Sequence, residues 1–294
     1  VSCFGYSDGQ ASATMVGGTT PFTYLWSNGE TGTTATGFFA GKATVTLTDG
    51  VGCVNITTTP VTEPTLLNAS IIASTDVLCA GESSGTINLT VIGGTTGYSY
   101  LWDDAAASTS EDLSGLEAGS YTVIVTDAAG CTATDNVIIT EPSAITLTTI
   151  VLDPLCASGS DGSVDLTVSG GTTGYTFNWS NGTSAEDLAG IGSGSFTVTV
   201  TDAALCTSTI TAVLTEPAAL TLTPTSTTAN CGQSDGSVDV TATGGTTNYG
   251  YLWSDALAST TSSVAGLPAG SYTVTVTDGN GCTETTTIAI GNNT

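Results

Sequence analysis

Four times along this chain of 294 residues the same ordered string recurs: a cysteine, a Gly-Gly-Thr-Thr, a tryptophan, a Thr-Asp turn and a second cysteine. The first cysteines, Cys3, Cys79, Cys156 and Cys231, return every 75 to 77 residues. Their companions, Cys53, Cys131, Cys206 and Cys282, follow 50 to 52 residues later. Trp26, Trp102, Trp179 and Trp253 keep the same period. A fixed period of this length makes each repeat one structural module and the chain an array of them.

The pattern inside a repeat is that of short strands. In the fourth, Leu220-Thr221-Leu222-Thr223 alternates apolar with polar, as do Val238-Asp239-Val240-Thr241-Ala242 and Tyr272-Thr273-Val274-Thr275-Val276-Thr277. Each is a half-buried strand by its period of two, and Gly-containing turns stand between them. Tyr249–Trp253 reads as an aromatic strand, and no helical periodicity competes. Six or seven such strands predict an all-β chain of four tandem immunoglobulin-like antiparallel sandwiches. The expected modules are 1–64, 65–142, 143–217 and 218–294. Their boundaries are written Glu63-Pro64, Glu141-Pro142 and Glu216-Pro217, where proline restricts both itself and the residue before it. Short, semi-rigid joints of this kind imply an extended, gently twisted rod. Module 1 lacks the dozen residues that supply the opening strand elsewhere, which reads either as truncation of a longer array or as a strand supplied by a neighbouring molecule.

Charge excludes whole classes of partner. Twenty-six acidic residues face a single basic one, Lys42, and histidine is absent. A surface near −25 repels phosphate backbones and anionic lipid, so nucleic acid is not an expected partner. No apolar run approaches the ~20 residues of a membrane span. The chain starts without a signal peptide, as a mature fragment would.

Eight cysteines in evenly spaced pairs suit four disulfides, one inside each module, and so an extracellular or cell-surface location. Zinc would want CxxC clusters and histidines. On this reading Cys3–Cys53, Cys79–Cys131, Cys156–Cys206 and Cys231–Cys282 each close a loop near the module's edge. The four tryptophans are expected as core anchors. Tyr24, Tyr100, Phe177 and Tyr251, two residues before them, share that face, either as core or as a platform for stacking a sugar.

The combination Cys231…Asp235-Gly236-Ser237, Gly244-Gly245-Thr246, Tyr251-Leu252-Trp253-Ser254, Leu267–Asp278 and Gly281-Cys282 resembles the SprB-type repeat of bacterial cell-surface adhesins, including those of gliding bacteria. The resemblance extends over all four modules. It implies an exported surface filament or stalk with adhesive function, and it supplies no catalytic residue. Local departures are Glu82-Ser83-Ser84-Gly85 in place of the Asp-Gly turn, and Leu205 where a glycine precedes the second cysteine elsewhere.

Carboxylates are the only groups available for acid–base work. Asp8, Asp161 and Asp235 stand in one recurring turn, and Asp49, Asp127, Asp202 and Asp278 in another. Turn formation explains both sets. The sharper expectation is calcium at the joints, through Glu63, Glu141, Glu216, Asp161 and Asp235. Two carboxylates across a cleft, as a glycosidase needs, are not suggested by small sandwiches without insertions. Asn55, Asn68, Asn88, Asn178 and Asn181 lie in glycosylation sequons. The resulting expectation is a non-enzymatic, multivalent adhesive spacer. Its partners would be a surface receptor or polysaccharide, or other copies of the chain in a strand-donating filament; a carbohydrate-binding array is the rival.

Overall fold

The computed structural model describes residues 1–293, with no helix among them. Contacts divide the chain into two compact units, Val1–Ala144 and Ile145–Thr294, and each holds two sandwiches.

Module 1 is built from β1 (Gly9–Ser12), β2 (Thr23–Trp26), β3 (Thr34–Phe38), β4 (Gly41–Thr48) and β5 (Val54–Val61). Strands β1 and β3 pair as one sheet, and the order β2-β4-β5 forms the other. Module 2 has a strand more: β6 (Asn68–Thr75), β7 (Gly85–Ile92), β8 (Ser99–Trp102), β9 (Leu113–Leu116), β10 (Gly119–Thr126) and β11 (Thr132–Ile139). Its sheets are β6-β7-β9 and β8-β10-β11, every pair antiparallel.

Module 3 repeats this with β12 (Thr146–Leu152), β13 (Gly162–Ser169), β14 (Thr176–Trp179), β15 (Leu188–Ile191), β16 (Gly194–Thr201) and β17 (Thr207–Leu214). Module 4 follows with β18 (Thr221–Thr227), β19 (Ala229–Asn230), β20 (Gly236–Thr243), β21 (Gly250–Trp253), β22 (Ser263–Leu267), β23 (Gly270–Thr277), β24 (Thr283–Ile290) and β25 (Asn292–Asn293). The two-residue strands β19 and β25 pair in parallel and close the end of the fourth sandwich.

Alternation decides which residues face inward. In β10, Val123 and Val125 are fully buried, as are Val198 and Val200 in β16 and Val274 and Val276 in β23. Each core gathers around its tryptophan, 1–3% exposed. A buried indole N–H needs an acceptor. Trp26, Trp102, Trp179 and Trp253 each donate it to a backbone carbonyl, of Gly32, Ser110, Ala185 and Thr261, at 2.8–3.0 Å. The neighbouring Tyr24, Tyr100, Phe177 and Tyr251 pack partly buried against the same cores.

Candidate functional site

The joints between modules concentrate the chain's cross-links. The last long strand of every module is eight residues in length, about 26 Å at ~3.3 Å per residue. The second cysteine stands at the beginning of that strand. The loop carrying the first cysteine is tied to the strand's far end: Gly5 N–H donates to Glu63 Oε2 at 2.7 Å, Gly81 N–H to Glu141 Oε2 at 2.6 Å and Ser158 N–H to Glu216 Oε2 at 2.8 Å. A disulfide requires Cα atoms within roughly 7 Å, so a bond within one module is out of reach.

The expected module-internal pairing is therefore corrected. Cys3 of module 1 bonds Cys131 of module 2, and Cys156 of module 3 bonds Cys282 of module 4, each with Cα atoms 5.7 Å apart. Cys79 and Cys206 are also disulfide-bonded. Cys53 and Cys231, expected in disulfides, are exposed free thiols. Within each unit the end of its first module meets the beginning of its second, and the bond forms there. At the first joint Cys3 and Cys131 are buried with Leu67, the third residue after Pro64, and pack against Val91, Tyr98 and Ala133. At the joint in the second unit, Asn280 Nδ2 donates to the Leu155 carbonyl at 2.9 Å beside the Cys156–Cys282 bond.

Beside each second cysteine lies a buried carboxylate. Asp49, Asp127, Asp202 and Asp278 are only 3–8% exposed. One oxygen of each accepts the N–H groups two and four residues on, the latter belonging to the cysteine. The other accepts the N–H of the first threonine of Gly-Gly-Thr-Thr, Thr19, Thr95, Thr172 or Thr246, at 2.7–3.1 Å. The carboxylate thus pins the last hairpin to a loop some thirty residues earlier. The second glycine of the pair leaves room for it: a Cβ at Gly94, Gly171 or Gly245 would stand 2.6–2.7 Å from that oxygen. This long-range role was not visible in the Thr-Asp turn alone.

These hydrogen bonds, first among them the one from the threonine N–H, hold all four carboxyls below the usual carboxylate range. A depressed folded pKa stabilises the ionised form, so the contribution is present above the unfolded value near 4 and lost as pH falls through the lower folded value. The melting temperature should stay level from pH 7 to 5 and decline steeply below about pH 4. Changing Asp127 and Asp278 to Asn should flatten that decline; an unchanged slope would contradict the role of the pins.

The other candidates are occupied locally. Asp8, Asp161 and Asp235 accept N–H groups of Ser2, Leu155 and Asn230 within their own cysteine loops. In module 2 Ser84 replaces them, its Oγ accepting the Leu78 N–H at 2.9 Å. The carboxylates of Glu63, Glu141 and Glu216 cap their own module's loop. Among the described residues no group of three or more His, Cys, Asp or Glu side chains is placed to hold a metal ion. Leu205 keeps the left-handed backbone (φ 68°) that Gly52, Gly130 and Gly281 adopt at the matching position. Asn55, Asn68, Asn88, Asn178 and Asn181 are all exposed.

Among solved structures the chain is similar to the N-terminal eight Ig domains of Down Syndrome Cell Adhesion Molecule, at 13% identity and a TM-score of 0.40, covering 98% of this chain and 45% of that one. It is also similar to a Ca2+-stabilized adhesin that helps an Antarctic bacterium reach out and bind ice, at 22% identity and a TM-score of 0.32, covering 98% and 95%. A tetra-tandem repeat in the extending region of a large adhesion protein aligns at 14% identity and a TM-score of 0.28, covering 98% and 92%. No curated protein matches the chain. The SprB repeat model matches it four times, at residues 1–31, 71–107, 148–184 and 223–258, the stretches that carry the first cysteine, the Gly-Gly-Thr-Thr and the tryptophan. The chain is a tandem array of SprB repeats.

Proposed function

We propose that this array is a load-bearing adhesive segment of an exported cell-surface protein, and that its disulfides make consecutive modules mechanically continuous. The observation that carries this reading is the pairing of Cys3 with Cys131 and of Cys156 with Cys282, each across a joint. A bond inside a module protects that module alone. A bond from one module to the next lets tension pass the joint without relying on the short Glu-Pro connection. Persistent disulfides also fit an oxidising, extracellular setting.

Adhesion would arise from repetition. Similar faces presented several times convert weak contacts into avid attachment. The inward packing of Tyr24, Tyr100, Phe177 and Tyr251 favours this reading over a sugar-stacking platform built from those rings. The test is retention of beads coated with the full chain under flow over immobilised polysaccharides and host-cell surfaces. Retention should rise more steeply than linearly with coating density. Retention proportional to density, or none on any surface, would remove the adhesive half of the proposal.

A further inference from the structure

The bonds Cys3–Cys131 and Cys156–Cys282 close loops of 128 and 126 residues, yet their surroundings differ. Cys3 and Cys131 are 6% and 8% exposed, shut in by Leu67, Val91, Tyr98 and Ala133. Cys156 and Cys282 are both half-buried. The sequence accounts for the difference position by position. Where the first joint has Phe4, Leu66, Val91 and Ala133, the joint of modules 3 and 4 has Ala157, Ala219, Ala242 and Glu284. Three of these changes take apolar carbon away, and the fourth sets an exposed carboxylate where a methyl stood. Leu67 is buried, whereas its counterpart Leu220 is half-buried.

A hollow of about 200 Å3 opens onto the Cys156–Cys282 bond, lined by both cysteines together with Ala157, Ala219, Leu220 and Glu284. The hollow at the first joint is as large, about 190 Å3, and touches Cys3 and Cys131. Its walls, however, are Phe4, Tyr6, Leu66 and Leu67, and little of either cysteine is left open. A thiolate breaks a disulfide by attacking one sulfur along the line of the S–S bond, so the rate depends on access to that sulfur. The joint of modules 3 and 4 grants access in the folded state. The first joint grants it only on opening, at the free-energy cost of local unfolding.

We propose that Cys156–Cys282 is a redox-releasable joint, opened by a dithiol reductant while Cys3–Cys131 stays closed. One thiolate of the dithiol attacks a sulfur of the bond, the S–S bond breaks, and the other cysteine leaves as a thiolate that takes a proton from water. The second thiol of the reductant then displaces the attacked cysteine and closes the reductant as its own disulfide, so two electrons pass from the dithiol to the cysteine pair. Release frees the 126-residue loop and leaves the 128-residue loop intact. The proposal deepens the load-bearing reading of these bonds and rests on it for its mechanical consequence; the order of reduction itself is read without tension or adhesion.

The probe is dithiothreitol, which carries no charge beyond its attacking thiolate and so meets little repulsion from Glu284. The free thiols of Cys53 and Cys231 in the full oxidised chain are first blocked with N-ethylmaleimide. Dithiothreitol is then added, and samples taken over time are alkylated with a second, heavier reagent and read by peptide mass spectrometry. Cys156 and Cys282 should acquire the second label about tenfold faster or more than Cys3 and Cys131. Urea at concentrations that leave the chain folded should speed labelling of Cys3 and Cys131, which depends on opening, and leave that of Cys156 and Cys282 nearly unchanged. Equal rates for the two pairs, faster labelling of Cys3 and Cys131, or one urea dependence shared by both pairs would each overturn the proposal.

Discussion

Pulled by its two ends under oxidising conditions, the chain should lengthen little, and complete reduction should release about 900 Å of additional contour. Tension entering at Val1 reaches Cys3 after two residues and crosses to Cys131, bypassing a loop of 128 residues. In the second unit it crosses from Cys156 to Cys282, bypassing 126. At ~3.5 Å per extended residue each loop conceals about 450 Å. Between the two crossings load enters β11 at its first residue and leaves at its last. That geometry shears the whole register of β11 against β10 at once instead of peeling it pair by pair. Bonds inside single modules would conceal only about 180 Å each, and the oxidised chain would still reach about 300 Å. Single-molecule stretching with and without reductant distinguishes the two: an oxidised chain that extends that far overturns the cross-module load path.

Much of this architecture is legible in the residues, and the part that is not has a definite reason. Alternation places β10, β16 and β23 and says which of their valines face inward, because a period of two leaves one choice of buried face. The tryptophans are legible as anchors for the same reason. The two-stranded first sheet of module 1, β1 with β3, is likewise legible by comparison of the repeat with its three neighbours.

Cysteine connectivity is different. A spacing of about 50 residues suggests a local loop, but loop closure depends weakly on length. Which sulfurs meet is decided by where strand ends lie in space, and one eight-residue strand holds the two cysteines of a module at opposite ends. The role of Asp127 was hidden likewise: its partner Thr95 is 32 residues away, and no local motif announces it.

Serine substitutions at three cysteines should give sharply unequal costs in denaturant unfolding of the oxidised chain. Cys3→Ser and Cys131→Ser each open the 128-residue loop. On the chain-entropy model such a loop is worth about 5 kcal/mol. Both cysteines are buried at the joint with Leu67, which adds the loss of local packing to the loss of the bond. Because the two residues act through one covalent link, the double variant should cost no more than either single one, the signature of complete coupling. Cys53→Ser should change stability by no more than about 0.5 kcal/mol, since an exposed free thiol makes neither a cross-link nor a core contact. Pairing within module 1 would require the opposite pattern: Cys53→Ser as costly as Cys3→Ser, and Cys131→Ser additive to both. The ranking of these variants, read from one set of guanidinium midpoints, therefore decides where the bond of Cys3 goes and whether consecutive repeats stand or fall together.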